Sequence, residues 1–255
     1  MILTLHTHTL GQIYRWQPTL DSTNTTLMRQ ADTLPHGFLL TAGHQTAGKG
    51  RLGRRWEDRP GASVCFSLLL RPEKPLAEPG VLPLLFGLGC AEGLSDRTGR
   101  EIGLKWPNDL ILAGGKLAGI LCESRPAGDG MAYVCGVGLN RAQQAADFEG
   151  LPHAISLAMA GVPSLPAEDL IACMTEGFER VYDRWQEAGF AALSSRYAAR
   201  CVTLGRRVRA LGTEPPLEGI AEAIAPDGAL LIRTGDACHP VHAGEVSVRG
   251  ERGYL

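Results

Sequence analysis

Residues 41–60 read TAGHQTAGKGRLGRRWEDRP, and this stretch decides how the rest of the chain is interpreted. Glycines alternate with cations and a tryptophan follows them, at Gly43, Gly48, Lys49, Gly50, Arg51, Gly53, Arg54, Arg55 and Trp56. Glycine lets the backbone turn and come close to a ligand. Lys and Arg supply positive charge, and the Arg guanidinium fits phosphate oxygens. The composition is therefore typical of a loop that closes over a phosphate.

Two predicted strands, 38–42 and 63–70, enter and leave this loop. The loop is not a Walker sequence, because no Gly-Lys-Ser or Gly-Lys-Thr is present, and its glycine spacing is not that of the dinucleotide-binding fingerprint. A mobile, solvated connection is the alternative interpretation of the same residues. If the loop binds a nucleotide, it does so through another arrangement.

Composition and charge limit the class of protein. The chain has 255 residues, of which 44% are hydrophobic and 20% charged, as in a globular protein with a substantial core. This length allows one large domain, or one large and one small domain. The net charge of -2 argues against general nucleic-acid binding, which requires an excess of basic residues. A small anionic ligand needs only local positive charge and is compatible with it.

Cysteine usage and the N-terminal residues predict a cytoplasmic location. Seven cysteines are scattered singly, without a Cys-x-x-Cys pair, so no zinc site is expected. An odd number of cysteines without a secretion signal fits a reducing compartment. Residues 1–10 contain no apolar run, and no stretch of the chain is long and apolar enough to cross a membrane.

Periodicity and capping residues predict three helices. The first begins within 20–31, where Asp21, Ser22 and Thr23 are all good N-cap types. The second covers 81–95 and stops near 98–99, and the third covers 166–185. For the third, Ser164 is the expected cap and Gly189 the expected end, and its apolar stripe is interpreted as core: Leu170, Met174, Phe178, Val181 and Trp185.

A predicted hairpin gathers several polar residues. The apolar runs 101–112 and 113–123 meet at Gly114-Gly115, which is a turn signal. Lys116 follows the turn directly, and its ordinary interpretation is a solvated surface charge. The case for a site rests on its neighbours, Lys105, Asn108 and Asp109. Pro107 interrupts strand pairing and creates an irregular corner between them.

Further short strands are predicted towards the C-terminus. A strand over 12–17 precedes the first helix, and a strand over 131–139 ends in glycines before Asn140, which is a candidate for contact with a base edge or a ribose. A glycine-rich turn is the alternative interpretation of that strand end. After residue 200, short β-like runs separated by turn residues predict a small β-barrel-like domain: 202–211, 217–225, 229–234 and 245–248. We therefore expect domains at 1–200 and 201–255.

Four motifs in order resemble those of the biotin–protein ligases, over roughly residues 16–249. They are Asp21-Ser22-Thr23-Asn24, the 45–56 loop, 105–109 together with 115–121, and 136–140; Gly244-Glu245 and Arg249 resemble the end of that family's small domain. The resemblance implies an α+β fold, with a mixed β-sheet flanked by helices and a small C-terminal SH3-like β-barrel. One departure is Gly48-Lys49-Gly50-Arg51 in place of Gly-Arg-Gly-Arg, since Lys keeps the charge but lacks the guanidinium fork.

The resemblance also implies an activity in two steps. Biotin and ATP give biotinyl-5′-AMP and pyrophosphate with Mg²⁺, and a lysine of a biotin carboxyl carrier protein then takes the biotin. A homodimer is compatible with it. The residues before Asp21 are too few for the DNA-binding domain that some members carry, so no DNA binding is expected. A lipoate–protein ligase and a non-catalytic biotin-binding protein remain alternatives.

Site roles follow from the resemblance and from charge. Two anionic reactants repel each other, so cations must be placed between them. The expected catalytic residues are Lys116, Arg51 and Asp109, with Asp109 orienting Lys116 or helping to hold a metal. The expected biotin contacts are Ser22, Thr23, Asn24, Gln45, Lys49, Gly50, Arg51, Lys116 and Gly119. The expected ATP contacts are Arg51, Trp56, Lys105, Asn108, Lys116 and Asn140.

Overall fold

Among the described residues the helices all lie before residue 201, and strands alone follow the last helix. The computed structural model of the chain describes residues 1–73, 75–212, 216–243, 247–250 and 254. In these ranges the helices are α1 (Thr23–Gln30), α2 (Leu82–Thr98), α3 (Ala167–Ala188) and α4 (Ser194–Arg200). The strands are β1 (Tyr14–Gln17), β2 (Leu39–Ala42), β3 (Ser63–Leu70), β4 (Gly103–Lys105), β5 (Asp109–Leu112), β6 (Gly115–Ala127), β7 (Gly130–Asn140), β8 (Arg207–Leu211), β9 (Leu217–Ile224), β10 (Leu230–Thr234), β11 (Ala237–Val241) and β12 (Ser247–Gly250).

The large sheet has seven strands in the order β1-β2-β3-β7-β6-β5-β4. Strands β1 and β2 are parallel, and the other neighbours are antiparallel. The sheet is therefore mixed, and helices cover both of its faces. This confirms the predicted α+β fold with a mixed sheet flanked by helices.

Strand β3 shows how the sequence assigns residues to the two faces of the sheet. Successive side chains of a strand point to opposite faces. Phe66 and Leu68 belong to the main core together with residues of α2 and α3. Leu69 lies in a separate cluster with Leu27 of α1. Phe66, Leu68 and Leu69 are completely buried, which explains why 64–70 reads as an apolar run interrupted only by Ser67.

Helices α2 and α3 cross at very short range because glycines face each other. A Cβ atom on Gly177 of α3 would clash with the carbonyl oxygen of Gly89, and one on Gly93 would clash with the carbonyl oxygen of Cys173. Glycines normally weaken a helix relative to alanine. Here they allow the two backbones to touch, and Phe178 then packs edge-on against Phe86 at 4.7 Å between ring centroids.

We expect Gly177→Ala to lower the free energy of unfolding by about 1–3 kcal/mol, because the added methyl group overpacks a rigid backbone contact. The measurement is the midpoint of urea denaturation. Gly87→Ala is the matched control, since a Cβ there would lie 3.4 Å from side-chain atoms of Ile120 and Leu104 only. Equal stability of Gly177→Ala and wild type would contradict this account of the crossing.

Helix ends follow local sequence in two of the three predicted helices. Ser22 caps α1, and its hydroxyl oxygen accepts the N–H of Thr25 at 3.4 Å. Helix α2 ends at Gly99, which is left-handed with φ 65°. The expectation for α3 was partly wrong: Gly189 ends it, but Pro166 and not Ser164 occupies the N-cap, without a side-chain cap. A proline favours an extended residue before it, so the helix begins only after Pro166.

The predicted hairpin turn lies one residue earlier than expected. Ala113 and Gly114 form its centre with φ 48° and 79°, and Gly115 already begins β6. The irregular corner at Pro107 is present between β4 and β5, and the Trp106–Pro107 peptide is cis. Trp106 is buried there and donates its indole N–H to the Gly228 carbonyl at 3.0 Å.

The small C-terminal sheet confirms the predicted β domain. Its strand order is β11-β10-β9-β8-β12 and all pairings are antiparallel. Strand β11 was not predicted, because its exposed residues lack an alternating apolar pattern. Helix α4 was also not predicted. The Gly244-Glu245 motif lies outside the described residues, and the domain boundary between residues 200 and 201 stays a prediction.

No helix among the described residues combines the length and apolarity needed to cross a bilayer.

Candidate functional site

A cavity of about 620 Å³ opens where the 41–60 loop, the start of α1, the β4–β5 corner and the strands β6 and β7 meet. Fourteen predicted site residues line it: Ser22, Thr23, Asn24, Gln45, Lys49, Gly50, Arg51, Trp56, Lys105, Asn108, Asp109, Lys116, Gly119 and Asn140. The four motifs that are far apart in the sequence therefore converge on one cavity. The individual roles assigned to these residues remain predictions.

Uncharged polar groups form one end of the cavity. Gln45 Oε1 accepts the backbone N–H of Thr23 at 2.8 Å. The Ser67 hydroxyl donates to Asn24 Oδ1 at 2.6 Å, and the Asn24 amide donates to the Glu123 carboxylate at 2.9 Å. These side chains are held rigidly because each has a fixed partner, and they present hydroxyl and amide groups that suit a neutral polar ligand.

A buried ion pair lies on the opposite side. Asp109 begins β5, and its Oδ1 atom lies 2.7 Å from Nζ of Lys116 on β6. Lys116 Nζ also lies 6.0 Å from the centre of the Trp56 ring. Lys105 on β4 is 5% exposed, and its ammonium donates to the Val248 carbonyl at 3.0 Å. Two cations and one carboxylate therefore share this part of the cavity.

Burial and neighbouring charges shift the pKa values of this group. Burial raises the pKa of Asp109, but Lys116 and Lys105 outweigh it, so the carboxyl pKa lies below its usual value. Burial lowers the pKa of Lys105 to about 8, even though Asp109 acts in the opposite direction. Asp109 is consequently ionised at neutral pH, whereas the pKa of Lys105, at about 8, lies close to neutral pH.

Arg51 reaches the same region from the loop. Its guanidinium donates to Asn108 Oδ1 at 3.2 Å and also to the Ala243 carbonyl of the small domain. Burial lowers the pKa of Arg51, and Asp109 partly offsets this. The charge is retained because arginine titrates far above neutral pH. Arg51 and Lys116 therefore face one shared cavity, as charge-neutralising catalysis requires.

Trp56 fills a space that glycines leave open on β6 and β7. A Cβ atom on Gly138 would clash with the Trp56 indole, and one on Gly119 would lie 3.1 Å from it. Gly138 near the end of β7 therefore admits a side chain of the loop. The Trp56 indole N–H is buried and makes no geometric hydrogen bond among the described residues, although the Cys65 thiol lies near it.

Both asparagines that were predicted to contact a nucleotide donate hydrogen bonds to backbone carbonyls. Asn108 donates to the Ile120 carbonyl at 3.0 Å. Asn140 donates to the carbonyls of Ile155 and Lys116 at 3.1 and 3.3 Å. These bonds fix β6 and the loop beside it, so the two side chains shape the cavity even before any ligand is considered.

Several residues of the site were not predicted from the sequence. They are Ser67, Glu123, Asp58 and Tyr254. Ser67 carries a recognisable signal, since it is the single polar residue within the buried part of an apolar strand. Asp58 accepts the Gln45 backbone N–H at 3.2 Å, but an acidic residue after a basic loop reads as an ordinary surface charge. Tyr254 contacts a residue 145 positions earlier, which no local pattern reveals.

Family comparisons cover most of the chain. Residues 16–140 match the model of the "Biotin/lipoate A/B protein ligase family", and residues 203–249 match the "Biotin protein ligase C terminal domain". The bifunctional ligase/repressor BirA of Bacillus subtilis is 30% identical over 96% of this chain and 76% of the relative. The biotin–[acetyl-CoA-carboxylase] ligase of Mycobacterium tuberculosis is 35% identical over 88% of this chain and 85% of the relative.

Solved structures agree with the sequence comparisons. The biotin protein ligase from Aquifex aeolicus, solved in complex with biotin and ATP, superposes with a TM-score of 0.81 and is 27% identical. The match covers 94% of this chain and 100% of that chain. Both the mixed sheet and the small C-terminal sheet are therefore included in the likeness.

Proposed function

Because the chain belongs to the biotin/lipoate A/B protein ligase family, we propose that it is an ATP-dependent biotin–protein ligase. It activates biotin to biotinyl-5′-AMP and then transfers biotin to a lysine of a biotin carboxyl carrier protein. The observation that carries this proposal is the cavity, in which Arg51 and Lys116 from separate segments face the same space as a rigid polar pocket.

The first step joins two anions. The biotin carboxylate attacks the α-phosphorus of ATP, and the bond between the α- and β-phosphates breaks to release pyrophosphate. In a water-poor site the repulsion between the reactants is large, so preplaced cations lower the barrier. Arg51 and Lys116 supply that charge, and Asp109 holds the Lys116 ammonium through the 2.7 Å ion pair.

Biotin occupies the uncharged end of the cavity in this proposal. Its ureido ring needs neutral donors and acceptors, which Ser22, Thr23, Asn24 and Gln45 provide. Lys49 stands where the family has an arginine, and its ammonium lies 3.7 Å from Glu123, which in turn accepts the Asn24 amide. Lys49 thus connects the loop to the polar end, and Gly50 and Gly119 line the same cavity.

The nucleotide occupies the cationic side. Lys105 attracts phosphate, and Asn108, Asn140 and Trp56 border the same space. The indole face of Trp56 is suited to stacking on a base. Such stacking requires the indole to move away from its present position against Gly138. We therefore propose that Trp56 changes position when ATP binds.

Mg²⁺ comes with ATP in this proposal and not from a protein site. Among the described residues, no group of three His, Cys, Asp or Glu side chains is arranged to hold a metal. Asp109, the earlier candidate, has one oxygen beside Lys116 and the other accepting the Tyr254 hydroxyl. Magnesium bound to the triphosphate would neutralise the departing pyrophosphate.

Partners other than the carrier protein stay predictions. Strand β1 is an edge of the large sheet, and Trp16 on it is 42% exposed, as is suited to pairing with another chain. A homodimer is compatible with the resemblance, and pairing of two such edges is one way to form it. The cytoplasmic location and the absence of DNA binding likewise rest on the sequence arguments alone.

The test of the proposed function is biotin-dependent ATP–pyrophosphate exchange by the purified chain, followed by transfer of biotin to a carrier domain detected with streptavidin. We expect both reactions, and neither without ATP. Parallel labelling with lipoate addresses the lipoate ligase alternative, and labelling with lipoate alone would contradict the proposal. Biotin binding without pyrophosphate exchange would instead indicate a non-catalytic biotin-binding protein.

Lys105 gives the reaction a dependence on pH. Below its pKa of about 8 the side chain is a cation, and above it the charge that attracts phosphate is lost. We expect kcat/KM for ATP to fall as pH rises through about 8. Lys105→Arg keeps the charge and should move this decline to much higher pH. An unchanged alkaline limb in Lys105→Arg would contradict the assignment.

A further inference from the structure

Tyr254, next to the last residue of the chain, lies inside the cavity. Its side chain lines the cavity together with Lys105, Asp109 and His153. The C-terminal family model ends at residue 249, so Tyr254 lies beyond the residues that this model matches. A half-buried aromatic side chain at this place needs a physical reason.

Three contacts hold the Tyr254 side chain. Its hydroxyl donates to Asp109 Oδ2 at 2.8 Å. Its ring stacks on His153 with 5.2 Å between centroids and 15° between planes. The Lys105 ammonium lies 4.5 Å from the centre of the same ring, within the range of a cation–π interaction. The ring is thus fixed on two sides, and its hydroxyl has one defined acceptor.

We propose that Tyr254 is a positioning residue for adenylate formation, which fixes the Asp109 carboxylate so that this carboxylate holds Lys116 in place. A carboxylate is free to rotate about its terminal torsion unless both oxygens are engaged. Tyr254 engages Oδ2, and Oδ1 then lies 2.7 Å from Lys116 Nζ as an ion pair. The proposal rests on the proposed ligase function.

The stack on His153 converges on the same lysine. The Lys116 backbone N–H donates to the His153 carbonyl at 2.6 Å. Tyr254 is therefore linked to Lys116 in two indirect ways. One passes through the Asp109 side chain, and the other passes through His153 and its backbone hydrogen bond to Lys116. This makes a tail residue part of the support of a residue near the middle of the chain.

The charged groups around Asp109 make its pKa sensitive to the Tyr254 hydroxyl. A purely structural role of Tyr254 would not change this pKa. Lys116 from β6, Lys105 from β4, Arg51 from the loop and Tyr254 face this carboxylate. Burial and the nearby Asp109 charge raise the pKa of Tyr254, so it stays a neutral donor across the working range. Its hydrogen bond helps to keep the pKa of Asp109 low. Loss of the hydroxyl therefore raises the pKa of Asp109.

The test is Tyr254→Phe, which keeps the ring contacts and removes only the hydroxyl. We expect kcat for biotin-dependent ATP–pyrophosphate exchange to fall about tenfold, since a hydrogen bond to a charged group is lost. KM for biotin should stay within about twofold, because the polar end of the cavity is untouched. The acid limb of the kcat profile should move to higher pH, since Asp109 must be ionised to hold Lys116.

Tyr133→Phe is the matched control, because Tyr133 is a buried tyrosine whose hydroxyl accepts the Leu76 N–H at 3.0 Å, and it does not line the cavity. Its kcat and acid limb should equal those of wild type.

A wild-type kcat and acid limb in Tyr254→Phe would overturn the inference while leaving the ligase function intact. A faster reaction or a lower KM for ATP would also overturn it, since Tyr254 would then obstruct the nucleotide. The absence of exchange in wild type would contradict the ligase function itself. The position of the acid limb is independent of how much enzyme is folded.

Discussion

Lys116→Ala should lower the rate of biotin-dependent ATP–pyrophosphate exchange about a hundredfold, which corresponds to about 3 kcal/mol of lost transition-state stabilisation. The physical reason is that the ammonium neutralises charge where carboxylate and phosphate meet, and no other lysine borders it on β6. Removal also leaves Asp109 in the cavity without the partner 2.7 Å away, and a carboxylate that has lost this charge repels both reactants more strongly.

Folding and chemistry can be separated in this variant. Lys116 lies at the start of β6, and its backbone bonds to His153 and Ile155 do not depend on the side chain. The variant should therefore still fold, although the midpoint of urea denaturation should fall because a buried carboxylate loses its partner. The control is Arg196→Ala, which removes a cation paired with Glu92 at 2.6 Å on the helices and should leave exchange unchanged. Normal exchange by Lys116→Ala would contradict the role proposed for this side chain.

The fold was predictable where the signal is local. Strand β3 was predicted with its full extent, because an unbroken apolar run between turn residues has few other solutions. Ser22 was among the three expected caps and is the one that is observed. Ser164 failed as a cap because a proline two residues later moves the helix start, an effect that a search for capping types alone does not weigh.

Contacts between distant segments were not predictable. Glu179 of α3 is not part of the predicted apolar stripe, yet it is only 5% exposed. Its carboxylate accepts the backbone N–H groups of His8, Thr9 and Leu10 at 2.7–2.8 Å. These donors lie about 170 positions away in the sequence, so helical periodicity gives no sign of them. A charged residue can be buried when its hydrogen bonds are complete.

The same distinction applies to the site. The residue types of the loop and the hairpin indicated an anionic ligand, and the structure brings all fourteen predicted residues to one cavity. What spacing did not reveal is which of them already have partners. Asn108 and Asn140 donate to backbone carbonyls, and Trp56 occupies the space beside Gly138. For these three side chains, contact with a ligand therefore requires a rearrangement of their present contacts.

The second large effect is expected at Arg51. Arg51→Ala should reduce ATP–pyrophosphate exchange by a hundredfold or more, because one residue supplies both charge at the reacting groups and contacts that close the loop. Its guanidinium donates to Asn108 at 3.2 Å and to the Ala243 carbonyl, which link the loop to the β4–β5 corner and to the small domain. The measurement is the exchange rate at saturating biotin and ATP.

Two further variants separate charge from geometry at this position. Arg51→Lys restores the positive charge but not the planar fork that spans two acceptors, so we expect it to recover part of the rate and to remain about tenfold below wild type. Arg97→Ala is the control outside the cavity, since Arg97 is exposed and pairs with Asp169 at 2.6 Å. It should change the rate less than about twofold. Full activity of Arg51→Lys would show that charge alone suffices, and full activity of Arg51→Ala would remove one of the two cations on which the proposed adenylation depends.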